Sequence, residues 1–350
     1  MASQQKPAIK KPWIETPLIE SATLSKQAGC RIFLKLDLLQ PSGSFKSRGI
    51  GNLILSSLTN QSNKSTKKPH FYSSSGGNAG LAAIHAARDL NCACTVVVPH
   101  STKPFMISKL HAAGATEVLQ HGESWFEADT YLRESFIENQ DGGNVYVPPF
   151  DHEVIWEGNA GMIGEIVEQL SRYGEEVPDV VVCSVGGGGL FNGVVSGLER
   201  VLGSKEMKGK KVRVVAVETD GADSLAHSLR EGRLSSLPAI TSQATSLGAL
   251  CVAEKTFANA MSPPEGVEVS SVVGSDAEAA RGVLRLADEM RMQVELACGI
   301  SLEVAVNGRL KKVVPDLNPE TKVVVVVCGG SNITAETIVE YRRRLEEGWN

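Results

Sequence analysis

Short apolar runs rich in valine and isoleucine recur along the chain, separated by longer stretches in which apolar residues return every three or four positions. The first pattern fits strands and the second fits amphipathic helices. Strands are predicted over residues 31–37, 71–74, 95–99, 145–147, 180–185, 212–218, 267–273 and 322–328. Helices are predicted over 78–90, 103–113, 124–139, 155–173, 275–292, 300–314 and 333–347. Several strand runs are apolar on both faces, as buried parallel strands are, so the alternation predicts an α/β fold with mostly parallel sheets. The turn-rich segment 148–152 marks a passage between two lobes with a cleft, and the polar segment 57–68 reads as an exposed loop.

Composition narrows the function. A length of 350 residues leads to an expectation of two domains, and 42% hydrophobic with 21% charged residues excludes bulk disorder. The balance of 35 basic and 40 acidic side chains, net −5, offers no global attraction for nucleic acid or anionic lipid. A small-molecule partner becomes the default. Seven scattered cysteines without a C-x-x-C pair predict free thiols in a reducing compartment. The first 13 residues hold no apolar signal core, and the longest strongly apolar run, 323–328, is too short to cross a bilayer. These features predict a cytoplasmic chain with no membrane partner.

Four loops, each between an apolar strand and a helical stretch, carry candidate chemistry. In Pro41-Ser42-Gly43-Ser44-Phe45-Lys46-Ser47-Arg48-Gly49, Lys46 falls in the first turn of a helical stretch. A helix N-terminus disfavours a cation, which leaves a solvated lysine or an amine that loses its proton readily enough for Schiff-base chemistry. In Ser74-Ser75-Gly76-Gly77-Asn78-Ala79-Gly80, Asn78 is either a plain helix cap or, with Ser75 and backbone N–H groups, part of a carboxylate site. Gly186-Gly187-Gly188-Gly189-Leu190 is a linker or a phosphate cradle, and its tight apolar flanks favour the cradle. It has neither the complete dinucleotide fingerprint with its acidic partner nor the G-K-[ST] ending of a P-loop, which argues against a nicotinamide oxidoreductase. Cys328, in Cys328-Gly329-Gly330-Ser331-Asn332, is a buried small hydrophobe or a group facing a ligand at a strand's carboxyl end.

A lysine amine, a phosphate cradle and a carboxylate cradle together describe a site for pyridoxal phosphate carrying an amino acid. On these motifs the chain, from Thr16-Pro17-Leu18 to about Ile333, resembles the fold-type II pyridoxal-phosphate enzymes (tryptophan synthase β-like), and among them the L-serine dehydratase/L-threonine deaminase group. The resemblance implies a large cofactor-binding domain of residues 1–38 and 148–350, a small domain of 39–147 with the substrate-carboxylate loop, and the cofactor in the cleft between them. It implies that Lys46 forms the Schiff base and acts as base, and that Phe45 packs on the pyridine ring. Gly186, Gly187, Gly188, Gly189 and Leu190 would bind the phosphate, and Asn78 the ring hydroxyl. Ser75, Gly76, Gly77, Asn78 and Ala79 would hold the substrate carboxylate. Ser246 would lie over the ring face, and Cys328 beside the pyridine nitrogen, where a neutral partner favours elimination over transamination. Glu218, Ala222, Ser224, Leu247 and Ala249 form a candidate potassium site, with a purely structural Glu218 as the alternative.

The implied activity is β-elimination of L-serine to pyruvate and ammonia, and of L-threonine to 2-oxobutanoate and ammonia. The segment Pro148-Pro149-Phe150-Asp151-His152, continuing through Ile155-Trp156-Glu157-Gly158-Asn159-Ala160, resembles the dehydratases. So does Ala79, where cysteine synthases carry threonine. A homodimer with a catabolic role, feeding carbon towards gluconeogenesis, is implied too. About twenty residues follow Cys328, which leads to the expectation of no regulatory domain and no isoleucine feedback. Three positions depart from the pattern. Gly76 replaces a common alanine and is expected to widen the substrate pocket. Ser246 replaces an alanine and is expected to add a hydrogen bond near the ring. Leu296 follows Glu295 where proline is usual, and has no interpretation. The rival readings are a serine racemase, a β-replacement enzyme and a catalytically silent amino-acid-binding protein.

Overall fold

The computed structural model describes residues 10–60, 68–138 and 143–350. In chain order the elements are β1 (Leu18–Glu20), α1 (Ala22–Ala28), β2 (Arg31–Lys35), α2 (Lys46–Asn60), β3 (His70–Ser73), α3 (Asn78–Asp89), β4 (Ala93–Val98), α4 (Pro104–Ala113), β5 (Glu117–Gln120), α5 (Trp125–Leu132) and β6 (Asn144–Tyr146). They continue with α6 (Glu153–Ser171), β7 (Val180–Ser184), α7 (Gly189–Leu202), β8 (Val212–Thr219), α8 (Ser224–Glu231), α9 (Glu254–Met261), β9 (Val267–Gly274), α10 (Asp276–Met290), α11 (Leu296–Val306), α12 (Leu310–Val313), β10 (Lys322–Val326) and α13 (Ala335–Glu346). A six-stranded sheet runs in the order β1-β2-β10-β7-β8-β9, parallel except for β1, and a four-stranded parallel sheet runs β5-β4-β3-β6.

The two all-valine central runs meet directly: Val323, Val324 and Val325 of β10 pair with Val180, Val181 and Val182 of β7, all buried. Such β-branched strands pack on both faces of a pleated surface, which is why they carry no polar alternation. A second core surrounds the smaller sheet, where the alanines of α3 and Ile50 and Ile54 of α2 cover Phe71, Val96 and Val98. Helix α6 serves both cores: Ile155 lies in the smaller one, while Met162, Ile163, Ile166 and Leu170 lie in the larger. It crosses α2 at backbone contact. A Cβ on Gly49 would lie 2.6 Å from Ile155 Cγ2, and one on Gly158 only 2.5 Å from the Arg48 carbonyl oxygen.

At that crossing lies a set of charges, all buried except the part-exposed Glu165. The Arg48 guanidinium, fully enclosed, donates to both Asp37 oxygens (2.7 and 2.9 Å) and to both Glu165 oxygens (2.6 and 2.7 Å). Lys35 Nζ donates to Glu165 Oε2 and to the Thr16 carbonyl, each at 2.6 Å. Two cations and two carboxylates thus join β2, α2 and α6.

The differences from the sequence reading have physical causes. Strands β1 and β5 escape prediction: β1 is three residues of mixed polarity ending in Glu20, and β5 is half-exposed along its length. The helix expected at 300–314 is instead α11 and α12. All eleven residues of α11 are buried, which erases any polar phase, and the chain breaks at Gly308 with φ +86°. Helix α2 extends to Asn60, through the start of the expected loop at 57–68. Residues 61–67 of that loop, the last residue of the helix expected at 124–139 and the first nine residues of the chain lie outside the described residues. Helices α1, α8 and α9 were not anticipated either, being only seven or eight residues long.

Removing Arg48 strands the enclosed Asp37 carboxylate and leaves the part-exposed Glu165 to Lys35 alone, so Arg48→Ala is expected to cost about 3–5 kcal/mol of folding stability in urea titration. Arg200→Ala, at a surface pair with Glu157, is expected to cost less than about 1 kcal/mol. Equal effects would contradict the burial argument.

Candidate active site

Four neighbouring parallel strands, β2, β10, β7 and β8, end at the same edge of the larger sheet, so the loops that follow them emerge side by side. Open α/β sheets leave room for ligands at this edge. The loop after β2 leads to Lys46, that after β10 to Cys328 and that after β7 to residues 186–189, while Glu218 is the penultimate residue of β8 itself. From the smaller sheet, β3 leads through Ser75 to Asn78.

The lysine loop is bound to the end of β10. Phe45 N donates to the Cys328 carbonyl (3.1 Å), and Gly330 N donates to the Gly43 carbonyl (3.0 Å). Gly329 has φ +84°, and a Cβ there would lie 2.3 Å from Gly43 O, so only glycine permits this approach. Lys46 opens α2 and donates from Nζ to the Pro149 carbonyl, with Nζ 5.3 Å from the centre of the Phe45 ring. Although the residue as a whole keeps some solvent contact, its amine end is enclosed, and desolvation lowers the pKa from 10.5 to about 8. The solvated-lysine reading is therefore set aside. Cys328 sits 5% exposed, with Sγ 3.6 Å from Ser184 Oγ. A hydrogen bond with Cys298, followed by burial, raises its thiol well above the usual range. It is neutral at pH 7, and its opposing pull on the Lys46 ammonium is outweighed by desolvation.

The glycine run is packed from two sides, as no linker is. A Cβ on Gly187 would lie 2.2 Å from the Phe150 ring, and one on Gly188, which has φ +96°, only 1.9 Å from Thr256 Oγ1. On Gly186 a Cβ would meet the Leu247 backbone at 3.1 Å. Leu190 is buried in the first turn of α7, whose leading N–H groups have no intrahelical partner and form its positive end.

Asn78 corrects the plain-cap reading. The N-cap of α3 is Gly77, and the Asn78 side chain reaches instead across to the larger sheet. Its Nδ2 donates to Glu295 Oε1 (3.0 Å), and its Oδ1 accepts from Ser331 N (2.9 Å). Ser75 Oγ accepts from Gly77 N (3.3 Å), and Ala79 is buried in the smaller core. At Gly76 a Cβ would lie 3.0 Å from Thr102 Cγ2 and 3.1 Å from Val98 Cγ1. The missing methyl thus faces β4 and the turn after it, and Thr102 occupies the space that was expected to widen the pocket. The exposed Ser246 gives its hydroxyl hydrogen to Glu295 Oε2.

Glu218 is fully buried and accepts from Leu225 N and Ala226 N, both at 2.8 Å, in the first turn of α8. Desolvation outweighs these two bonds and raises its pKa to about 8. The Ser224 hydroxyl beside it is buried without a partner. Ala222 N donates to Thr219 O (2.9 Å), and Ala249 N to Leu247 O (2.7 Å). Among the described residues no group of three or more His, Cys, Asp or Glu could hold a metal ion, so a cation here would depend on backbone and hydroxyl oxygens.

Three contributors escaped the sequence reading. Pro149 and Phe150, read as a passage between lobes, contact the lysine and the glycine loop directly. Glu295 carried a signal that was passed over: one acid inside the apolar run Val294 to Ile300. An enclosed, readily deprotonated amine next to a cradle that admits no side chain, with a neutral thiol and hydroxyl close by, suits a phosphate-bearing aldehyde such as pyridoxal phosphate.

Comparison with known proteins agrees. A family model for pyridoxal-phosphate-dependent enzymes matches residues 9–329. The chain is 41% identical over 333 residues to an L-serine dehydratase of Saccharomyces cerevisiae (strain AWRI1631), covering 93% of this chain and 96% of the relative. It is 40% identical over 335 residues to an L-serine dehydratase/L-threonine deaminase of Bos taurus, covering 95% of each. The crystal structure of a fungal L-serine ammonia-lyase from Rhizomucor miehei superposes with a TM-score of 0.84 at 32% identity, covering 96% of this chain and 99% of the other.

In protein stripped of small molecules, acylation of Lys46, followed by peptide mass spectrometry, is expected to rise with a midpoint near pH 8. Exposed lysines titrate near pH 10.4 or so. A Lys46 midpoint in that range would refute the enclosure of its amine.

Proposed function

The chain belongs to the family of pyridoxal-phosphate-dependent enzymes, and we propose that within it the chain acts as an L-serine dehydratase that also accepts L-threonine. The products are ammonia with pyruvate from serine, or with 2-oxobutanoate from threonine. Serine loses water across Cα–Cβ and regains it when the C–N bond is hydrolysed, so pyruvate plus ammonia balance it atom for atom. The fold is the fold-type II arrangement of that family. The observation that carries the reading is the enclosed Lys46 amine, held where the lysine loop, Cys328 and the glycine loop meet.

Bound pyridoxal phosphate supplies an electron sink that acidifies the Cα proton of an attached amino acid. Lys46, with a pKa near 8, carries a substantial neutral fraction in mild alkali and accepts a proton at Nζ, which it then holds for return. The N–H groups from Gly186 to Leu190 would take the phosphate, Phe45 would flank the ring and Asn78 would meet its hydroxyl. Because Cys328 is a neutral thiol, it does not force a proton onto the ring nitrogen, which favours departure of the β-hydroxyl over transamination. Ser75, Gly76, Gly77 and Ala79 lie at the start of the twelve-residue α3, whose free N–H groups suit the substrate carboxylate. Potassium at Glu218, Ala222, Ser224, Leu247 and Ala249 would favour the ionised form of a carboxyl that burial otherwise protonates.

A cytoplasmic homodimer with a catabolic role rests on likeness to the family, and the free state of all seven cysteines fits a reducing compartment. No described helix is long and apolar enough to cross a membrane.

Purified protein with pyridoxal phosphate and potassium is expected to release pyruvate steadily from L-serine, and Lys46→Ala to lose at least about 10²-fold of that rate. Formation of D-serine without pyruvate would identify a racemase. Absence of any turnover by a protein that still binds serine would leave a binding module.

A further inference from the structure

Glu295 is 5% exposed, lies directly before α11, and has no cation within ion-pairing distance among the described residues. Three donors from three separate segments converge on it instead. Asn332 N (2.7 Å) and Asn78 Nδ2 (3.0 Å) both reach Oε1, and the Ser246 hydroxyl reaches Oε2. The chain makes room for it: Gly330 has φ +117°, and a Cβ there would lie 2.3 Å from the Glu295 carboxyl carbon. Of these donors only Asn78 comes from the smaller sheet's side of the cleft.

The hydrogen-bond chemistry fixes the Asn78 amide. Ser331 N can only donate, so the group facing it at 2.9 Å must be the Asn78 oxygen. The amide nitrogen then points to Glu295, which can only accept as a carboxylate. The two contacts exclude the flipped amide, and both originate from the segment after β10 and the residue before α11.

From this geometry we propose that Glu295 is a positioning residue: it orients the Asn78 amide and holds the start of α3 against the larger sheet, presetting the side chain assigned to the cofactor hydroxyl. The inference deepens the proposed function and rests on it for the role of Asn78. Ser246 stabilises the same carboxylate from its other side, so the hydroxyl that departs from the family's alanine acts on Glu295. Glutamine at 295 keeps an oxygen for Asn78 and Asn332 and turns an amide towards Ser246, whose hydroxyl can reverse its role and accept. Alanine removes the carboxylate and leaves Asn78 Nδ2 only the long contact to Ser246 Oγ at 3.4 Å.

Two readouts test this: pyridoxal phosphate dissociation constants from cofactor absorbance and fluorescence, and hydrogen exchange of residues 76–81 in protein free of cofactor. Glu295→Ala is expected to weaken cofactor binding about tenfold and to speed exchange in that segment at least about fivefold, while Glu295→Gln stays within about threefold of the parent. Asn78→Ala is expected to weaken binding similarly, and the double variant no further, because both act through one contact. Multiplying losses in the double variant, or unchanged exchange in Glu295→Ala, would overturn the proposal. If Glu295→Ala does not fold, Glu295→Asp, one methylene short of Asn78, takes its place with the same expectations. If the parent shows no Lys46-dependent cofactor absorbance, the proposed function falls, and exchange in cofactor-free protein alone decides the role of Glu295.

Discussion

Burial of Arg48 is the constraint on which the rest depends. A guanidinium without access to water is tolerable only if its donors find acceptors, and Asp37 and Glu165 take four of its five N–H groups in one geometry. Residues two apart on a helix point about 200° from each other. With Arg48 fixed towards the charge cluster, Lys46 at the head of α2 is turned the opposite way, to the edge where the sheet's loops gather. The close crossing of α2 and α6 at Gly49 and Gly158 leaves that helix no freedom to roll. The amine's direction is therefore decided by residues that never meet a substrate.

Around that fixed amine, burial shifts the proton balance of the neighbouring groups. Enclosure loosens the proton of Lys46, while burial and Cys298 keep the Cys328 thiol protonated. The positive ends of α3 and α7 supply attraction for anions without a mobile side chain. Nothing in this arrangement has to reorganise strongly as charge develops, which is the economy of a preorganised polar site.

The lysine, asparagine, glycine and thiol loops were legible because each has small or special residues at a strand-to-helix junction. The valine runs of β7 and β10 were legible because two-sided burial leaves a continuous apolar signature. What stayed hidden depends on distance in sequence. Glu295 takes its meaning from Asn78, 217 positions away, and from Ser331 and Asn332 beyond it. Pro149 looks like a turn until its carbonyl is seen to accept from Lys46. Gly76 read as extra room in a pocket, because a string of residues cannot show that Thr102 fills it. Helix α11 lost its phase to total burial, and β5 lost its contrast to exposure.

The strand order also sets a timetable. β10, near the end of the chain, lies between β2 and β7 in the larger sheet, so β2 has to wait for almost three hundred later residues before it gains its parallel neighbour. The smaller sheet draws all its strands from residues 70–146 and can close while synthesis continues. Long-range parallel pairing is slow and leaves apolar edges uncovered meanwhile. During translation, the half-built larger sheet is thus the stretch most in need of chaperone cover, and the lysine loop, stitched to the end of β10, is among the last parts of the molecule to set.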